Sequence, residues 1–483
     1  MALLFVAAAN LQTDPVEAQS FERNADASSK KKQPTLRWSG QQKISVAQAA
    51  GLAQQNTIYR NLVLIDGTGN GPRPNMAIIV KDDRIAAILP SAALTPAMLE
   101  GATVQNMRGQ YALPGLIDSH VHLATLPDRE IASAHLKRHI YGGITGVRDM
   151  AGDARSLANL SRASLVNEIP APDVYYAALM AGPDFFSDPR TVTSGLGGVP
   201  GELPWMQAID AQSEIPLMVA QAKGTGATGI KIYANLPGRL VRAIIAEGKR
   251  QGFPVWSHLQ VYPSSPYDSL GATAVSHICM IARYAGERNK QRYGHDNPPS
   301  YEGITADHPE IQNYIKALGA SRTIMDATLI LYQDLVAEDK AAASIASDDQ
   351  PKRPRCPIAL AADITRAIDQ AGVPIIAGTD GIALANDPFP KLYEEMEVLV
   401  SRAGLTPHQA IISATFNAAR ALGKEDQIGS LEVGKYANFI FLRDNPLSDI
   451  RAMRSVSLTV KRGHRFPRSD YRHRAIPELI YPE

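Results

Sequence analysis

The sequence predicts an α/β fold, a distorted TIM (β/α)8 barrel with a small β-sandwich domain formed from both chain ends. Two observations carry that expectation. In the middle of the chain, short apolar runs alternate with helix-like stretches, the pattern of a parallel sheet buried on both faces. Eight such runs can be placed, at 112–117, 144–148, 174–179, 227–232, 254–257, 272–276, 323–327 and 373–378, and eight parallel strands close a barrel. On either side the texture changes to short strands separated by turns, so the two ends can pair into one β unit. The length of 483 residues exceeds the roughly 100–200 of an ordinary domain and suits a large barrel with a companion.

Taken in order, residues 1–55 read as a leader and flexible N-terminal segment. An apolar start lacks a basic lead, Val16-Glu17-Ala18 resembles a small-residue processing site, and a polar run contains Lys30, Lys31 and Lys32. Two locations stay open: cytoplasmic, or exported to the periplasm or extracellular space after processing. Residues 56–110 supply the first part of the β-sandwich, with strand-like runs at 62–65, 77–80 and 85–88. The barrel occupies 111–425; its stretches 192–201, 261–269 and 293–303 read as strand-to-helix loops, where barrels build their sites, and 193–200 is a candidate lid. Residues 426–483 give the second part of the sandwich and a tail. Past the start, no run approaches the roughly 20 apolar residues of a transmembrane segment.

Hydrophobic residues make up 45% of the chain and charged residues 20%, enough apolar material for a large core. With 49 basic and 48 acidic side chains the net charge is +1, so no global field recruits nucleic acid or an anionic membrane. Gly67-Thr68-Gly69-Asn70-Gly71 lacks the lysine and Ser/Thr of a phosphate loop, and no glycine-rich dinucleotide loop follows the first barrel strand. The two cysteines, Cys279 and Cys356, have a separation that matches neither a paired zinc module nor a disulfide framework.

The sharpest local feature is Leu116-Ile117-Asp118-Ser119-His120-Val121-His122. Residues two apart on a strand share a face, so His120 and His122 can aim at one ion from the end of the first barrel strand, although such pairs also occur in ordinary strands. His258 and His277 each end an apolar run, and four imidazoles suit zinc or a similar transition metal. Asp380 follows an apolar run into a small turn, where a carboxylate can bind metal and accept a proton, or simply cap a helix or turn. Lys231 sits in the apolar run Gly229-Ile230-Lys231-Ile232-Tyr233, where an unpartnered ammonium is costly to bury. Carbamylation by carbon dioxide would convert it into a carboxylate able to bridge two metals.

These stretches resemble the metal-dependent amidohydrolases, more narrowly the imidazolonepropionase-like and prolidase-like members. The likeness covers about 57–463 and rests on Asn61-Leu62-Val63-Leu64-Ile65-Asp66-Gly67, the His-x-His strand end, residues 142–149, Ala377-Gly378-Thr379-Asp380, residues 414–422, and Gly434-Lys435-Tyr436-Ala437-Asn438-Phe439. The one departure is Asn438, where the family usually has aspartate. The resemblance implies that His120, His122 and Asp380 hold the more buried of two divalent metal ions, His258 and His277 the second, and carbamylated Lys231 bridges them. No position in that set is missing, which argues against a barrel that has lost its activity. The likeness also implies a homo-oligomer.

A water shared by two such ions is ionised near neutral pH, and Asp380 can move its proton to a departing nitrogen. The expected reaction is amide hydrolysis, and the resemblance implies a small-molecule substrate: X-Pro or other dipeptides, or N-acyl amino acids. A lactonase or esterase using the same centre is the alternative, because the nucleophile does not demand a nitrogen leaving group. For substrate contacts, Tyr233 shares the strand face of Lys231, Arg148 can meet an anionic group or pair with Asp149, and His139 can contact a carboxylate or end a helix.

Overall fold

The computed structural model describes residues 56–125, 128–260, 262–286, 301–345, 355–381 and 386–473. The leader expected over 1–55 lies outside the described residues, as do residues 261 and 293–300 of the expected loops. The chain begins with β1 (Thr57–Leu64), β2 (Arg73–Lys81), β3 (Arg84–Pro90), β4 (Thr103–Asn106) and β5 (Tyr111–Pro114). Then come β6 (Leu116–Val121), β7 (Ile144–Asp149), β8 (Asp173–Ala181), β9 (Glu202–Leu203), β10 (Met206–Ala208), β11 (Gly229–Ile232), β12 (Val255–His258), β13 (Ala274–Ser276), β14 (Ile324–Asp326) and β15 (Ile375–Ile376). The last strands are β16 (Phe439–Leu442), β17 (Val456–Lys461) and β18 (His464–Pro467).

Strands from both termini form one mixed sheet in the order β18-β17-β16-β5-β1-β2-β3, with β4 also paired to β1. Its own apolar core gathers Tyr59, Phe439 and Phe441, with ring centroids 5.2–5.6 Å apart. Asn438, the departure from the family pattern, lies here and accepts the Arg462 backbone N–H at 2.8 Å.

The barrel strands run parallel in the order β6-β7-β8-β11-β12-β13-β14-β15. The ring is nearly closed, because Ser119 N donates to Ala377 O (3.0 Å) and Asp380 N to His120 O (2.9 Å). Asp118 reinforces that seam: its buried carboxylate accepts His120 N at 3.1 Å, Thr379 N at 3.2 Å and the Thr379 hydroxyl at 3.1 Å. Every residue of β6, β7, β11, β12, β13, β14 and β15 is buried, which is why these strands read as continuous apolar runs.

Three local readings change. The run around 112–117 divides: β5 pairs with β1 and β16 in the terminal sheet, and β6 alone enters the barrel. Gly115 makes the transfer, since a Cβ there would strike the Thr145 side chain. The expected loop over 192–201 begins inside a short helix, Pro189–Ser194, capped by Asp188. Most consequential, Cys279 and Cys356 are joined in a disulfide with Cα atoms 6.1 Å apart, contrary to the reading of their separation. The bond spans 77 residues of sequence and joins the first residue of one helix to the segment just before another, a meeting in space that spacing alone does not encode. No helix among the described residues is long and apolar enough to cross a membrane.

Candidate metal centre

Each candidate ligand stands at the C-terminal end of a barrel strand. His120 lies within β6 and His122 just beyond it, Lys231 is in β11, His258 ends β12, His277 follows β13, and Asp380 follows β15. Since all barrel strands point the same way, these ends converge at one rim. Nitrogen and oxygen atoms of His120, His122 and Asp380 all lie within 4.8 Å of one another. Asp380 Oδ1 is 3.2 Å from His122 Nε2 and 3.5 Å from His120 Nε2, and its Oδ2 is 3.7 Å from His277 Nδ1. The rings continue the chain of contacts, with His120 5.1 Å from His277 and His277 4.4 Å from His258, centroid to centroid.

The backbone is bent to make this possible. His277 and Asp380 take left-handed conformations, φ +78° and +44°, which are uncommon for residues with a Cβ and persist where surrounding bonds impose them. The His277 N–H is held by Asp326 O at 3.0 Å and the Asp380 N–H by His120 O at 2.9 Å. Gly378 admits the closest approach: a Cβ there would lie 2.5 Å from Asp326 Oδ1 and 2.8 Å from His120 Cβ.

The electrostatics suit a cation. Burial pushes His277 down to about 3 and His258 well below the usual imidazole range, so both rings are neutral with a lone pair to offer. Burial also lowers His120 against the opposing pull of Asp380, whereas for His122 the bond to Asp380 outweighs burial and raises it. Burial disfavours the Asp380 anion, yet the histidines around it outweigh this and hold its carboxyl well below the usual range. Burial brings the Lys231 ammonium down to about 8, and its Nζ has no hydrogen-bond partner among the described residues. A buried, orphaned amine beside a carboxylate and four imidazoles fits a group that becomes an anion and meets a metal.

The cavity above this cluster has a volume of about 810 Å³ and reaches His120, His122, Lys231, His277 and Asp380. Its lining includes the apolar side chains of Leu179, Phe185, Met206, Leu331 and Leu335. Tyr233 also lines it, its ring tilted against Phe185 (centroids 4.8 Å apart) and His258 (4.7 Å). Elsewhere on the wall, Lys391 is bonded to Asp334 and Glu394, each at 2.9 Å.

Arg148 and His139 do not line the cavity. Arg148 is fully buried beneath it, where its guanidinium donates to Ser119 O at 2.5 Å and Asp326 Oδ2 at 3.0 Å and lies over the Trp256 ring. It does not pair with Asp149, whose carboxylate instead accepts the Leu123 N–H at 2.5 Å. His139 is buried in the helix Arg129–Tyr141, with Nδ1 against His135 O at 2.6 Å.

Sequence reasoning missed Asp326. The last residue of β14, it receives His120 Nδ1 (2.8 Å), Arg148 Nη2 (3.0 Å) and Ser276 Oγ (3.0 Å), all on Oδ2. That bond places the Nδ1 proton on His120 and leaves Nε2, which faces Asp380, as the lone-pair nitrogen. The signal in the sequence is an acid ending an apolar strand, close to the signal that marks Asp380.

Comparisons with known proteins agree with this fold. The Amidohydrolase family profile matches residues 269–465. The ochratoxinase of Aspergillus niger is 28% identical over 448 residues, covering 83% of each chain. The imidazolonepropionase of Photorhabdus laumondii is 25% identical over 409 residues, covering 80% of this chain and 90% of that protein. Among solved structures, a Xaa-Pro dipeptidase with methionine bound in its active site superposes with a TM-score of 0.63 at 19% identity, over 86% of this chain and all of that one. With the barrel, the His-x-His strand end and these relatives in agreement, residues 269–465 match the amidohydrolase family and the chain as a whole is similar to its members.

Proposed function

We propose that this enzyme hydrolyses the amide bond of a small molecule, an X-Pro or other dipeptide or an N-acyl amino acid, at a centre of two divalent cations, with zinc as the leading candidate. His120, His122 and Asp380 would hold one cation, His258 and His277 the other, and Lys231, as its carbamate, would bridge them. When bound, the cations supply Lewis acidity toward the carbonyl and lower the pKa of water. The observation that carries the reading is the convergence of His120, His122, Lys231, His277 and Asp380 on one cavity of about 810 Å³.

The chain's own residues supply the rest. Asp380, kept ionised by the histidines around it, takes a proton from the attacking water and returns it to the leaving nitrogen. Asp326 fixes the His120 tautomer so that the ring presents Nε2. Tyr233, on the cavity wall beside His258, is the candidate donor to a substrate carboxylate or to the developing oxyanion. The apolar side chains of the lining exclude water around the scissile bond and hold the substrate's side chain.

The test is amine release from a panel of dipeptides and N-acyl amino acids after reconstitution with zinc and bicarbonate, with Asp380→Asn beside the wild type. Chelator-sensitive turnover that Asp380→Asn abolishes is the expected result. A folded, metal-loaded protein that leaves every amide intact but opens lactones or esters would overturn the amide assignment.

A further inference from the structure

Both cysteines stand next to elements that carry candidate ligands. Cys279 is two residues beyond His277 and opens the helix Cys279–Gly286. Cys356 precedes the helix Ile358–Gln370, which leads into β15 and from there to Asp380. The disulfide thus ties the segment bearing His277 to the segment bearing Asp380, and both sulfur-bearing residues are at most 5% exposed.

The turn at His277 needs such an anchor. Its φ of +78° is unfavourable for a residue with a Cβ, so the conformation lasts only where bonds on both sides over-determine it. On the strand side, Asp326 O holds the His277 N–H at 3.0 Å and Thr328 Oγ1 sits 3.2 Å from Nδ1. On the helix side, the Cys279 N–H reaches the buried Tyr332 hydroxyl at 3.3 Å, Met280 N donates back to His277 O at 3.1 Å, and the covalent bond to Cys356 closes the turn.

We propose that the Cys279–Cys356 disulfide is a positioning element for His277, holding the left-handed turn that aims its imidazole at Asp380 and so setting the affinity for one of the two cations. The inference rests on the metal-centre reading above. A disulfide that served only as a staple would change stability and leave the metal alone.

The experiment compares the full-length zinc-loaded wild type with Cys279→Ser/Cys356→Ser, using zinc retained against a graded chelator and the electronic spectrum of the cobalt-substituted protein. Leu160→Ala, a fully buried position on the helix Ala154–Leu165 that does not line the cavity, is the control for loss of stability alone. The double serine variant should lose one metal at roughly tenfold lower chelator and show an altered cobalt spectrum, while Leu160→Ala keeps both metals and the wild-type spectrum. Unchanged retention and spectrum in the double variant would overturn the proposal. If that variant does not fold, wild-type holoenzyme is titrated with a phosphine reductant: zinc release in step with thiol exposure supports the proposal, and exposed thiols with both zinc ions retained overturn it. A wild type that binds no divalent cation refutes the metal centre itself, an outcome distinct from the disulfide failing to matter.

Discussion

Asp326→Asn separates the geometry of the centre from its charge. All three donors, His120 Nδ1, Arg148 Nη2 and Ser276 Oγ, fall on Oδ2, while Oδ1 is buried without a hydrogen-bond partner. Asparagine can therefore place its carbonyl oxygen where Oδ2 was, and the loss is one of charge rather than of contacts. For His120, exchanging a charged acceptor for a neutral one weakens the hold on its ring, and removing such outer partners lowers metal affinity about 10- to 100-fold, roughly 1.4–2.7 kcal/mol. For Arg148, fully buried and facing Asp326, the same change strands a cation, and breaking one side of a buried pair costs about 3–5 kcal/mol of stability. Stability should thus fall by more than metal binding, and the two must be read separately, by chelator competition and by denaturant unfolding of the metal-free protein. Adding Arg148→Met removes the stranded cation. The double variant should regain much of the lost stability while its metal affinity stays low. Wild-type zinc affinity in Asp326→Asn, or affinity restored by Arg148→Met, would refute a role acting through His120.

Three further outcomes follow from the same packing. Gly378→Ala drives a Cβ toward Asp326 Oδ1 and His120 Cβ, so metal affinity should fall at least about tenfold, with overpacking lowering stability by about 1–3 kcal/mol; calorimetry and chelator titration read both. Burial brings Lys231 down to about 8, and only the neutral amine reacts with carbon dioxide, so reactivity rises as pH climbs through that value. At fixed dissolved carbon dioxide, reconstitution of the metal-free protein should be about 25-fold faster at pH 8.5 than at pH 6.5, and a pH-independent rate would contradict carbamylation. Breaking the disulfide, which spans 77 residues, should destabilise the protein by about 4–5 kcal/mol in the chain-entropy account, measured by urea unfolding with and without reductant.

What the sequence disclosed and what it hid have a common physical origin. A strand buried on both faces leaves an apolar run, and a polar residue at the end of that run is conspicuous, so the eight barrel strands, His120, His122, Lys231, His258, His277 and Asp380 are all legible in one dimension. Partnership is not. Arg148 and Asp149 are adjacent in sequence, which suggests a pair, but successive strand residues point to opposite faces. Arg148 therefore meets Asp326, 178 positions away, and His120 meets the same carboxylate from 206 positions away. The disulfide escapes notice for the same reason, because only the folded chain brings Cys279, at the start of one helix, to Cys356, just before another. The chain transfer at Gly115 is hidden differently: residues 112–117 read as one run, and only a missing Cβ beside Thr145 tells where sheet gives way to barrel. Read together, these cases give a rule that applies within this chain. Residues that would touch a cation announce themselves within or at the ends of apolar runs, whereas the partners of Asp326, Arg148 and Cys356 become visible only once the barrel has closed.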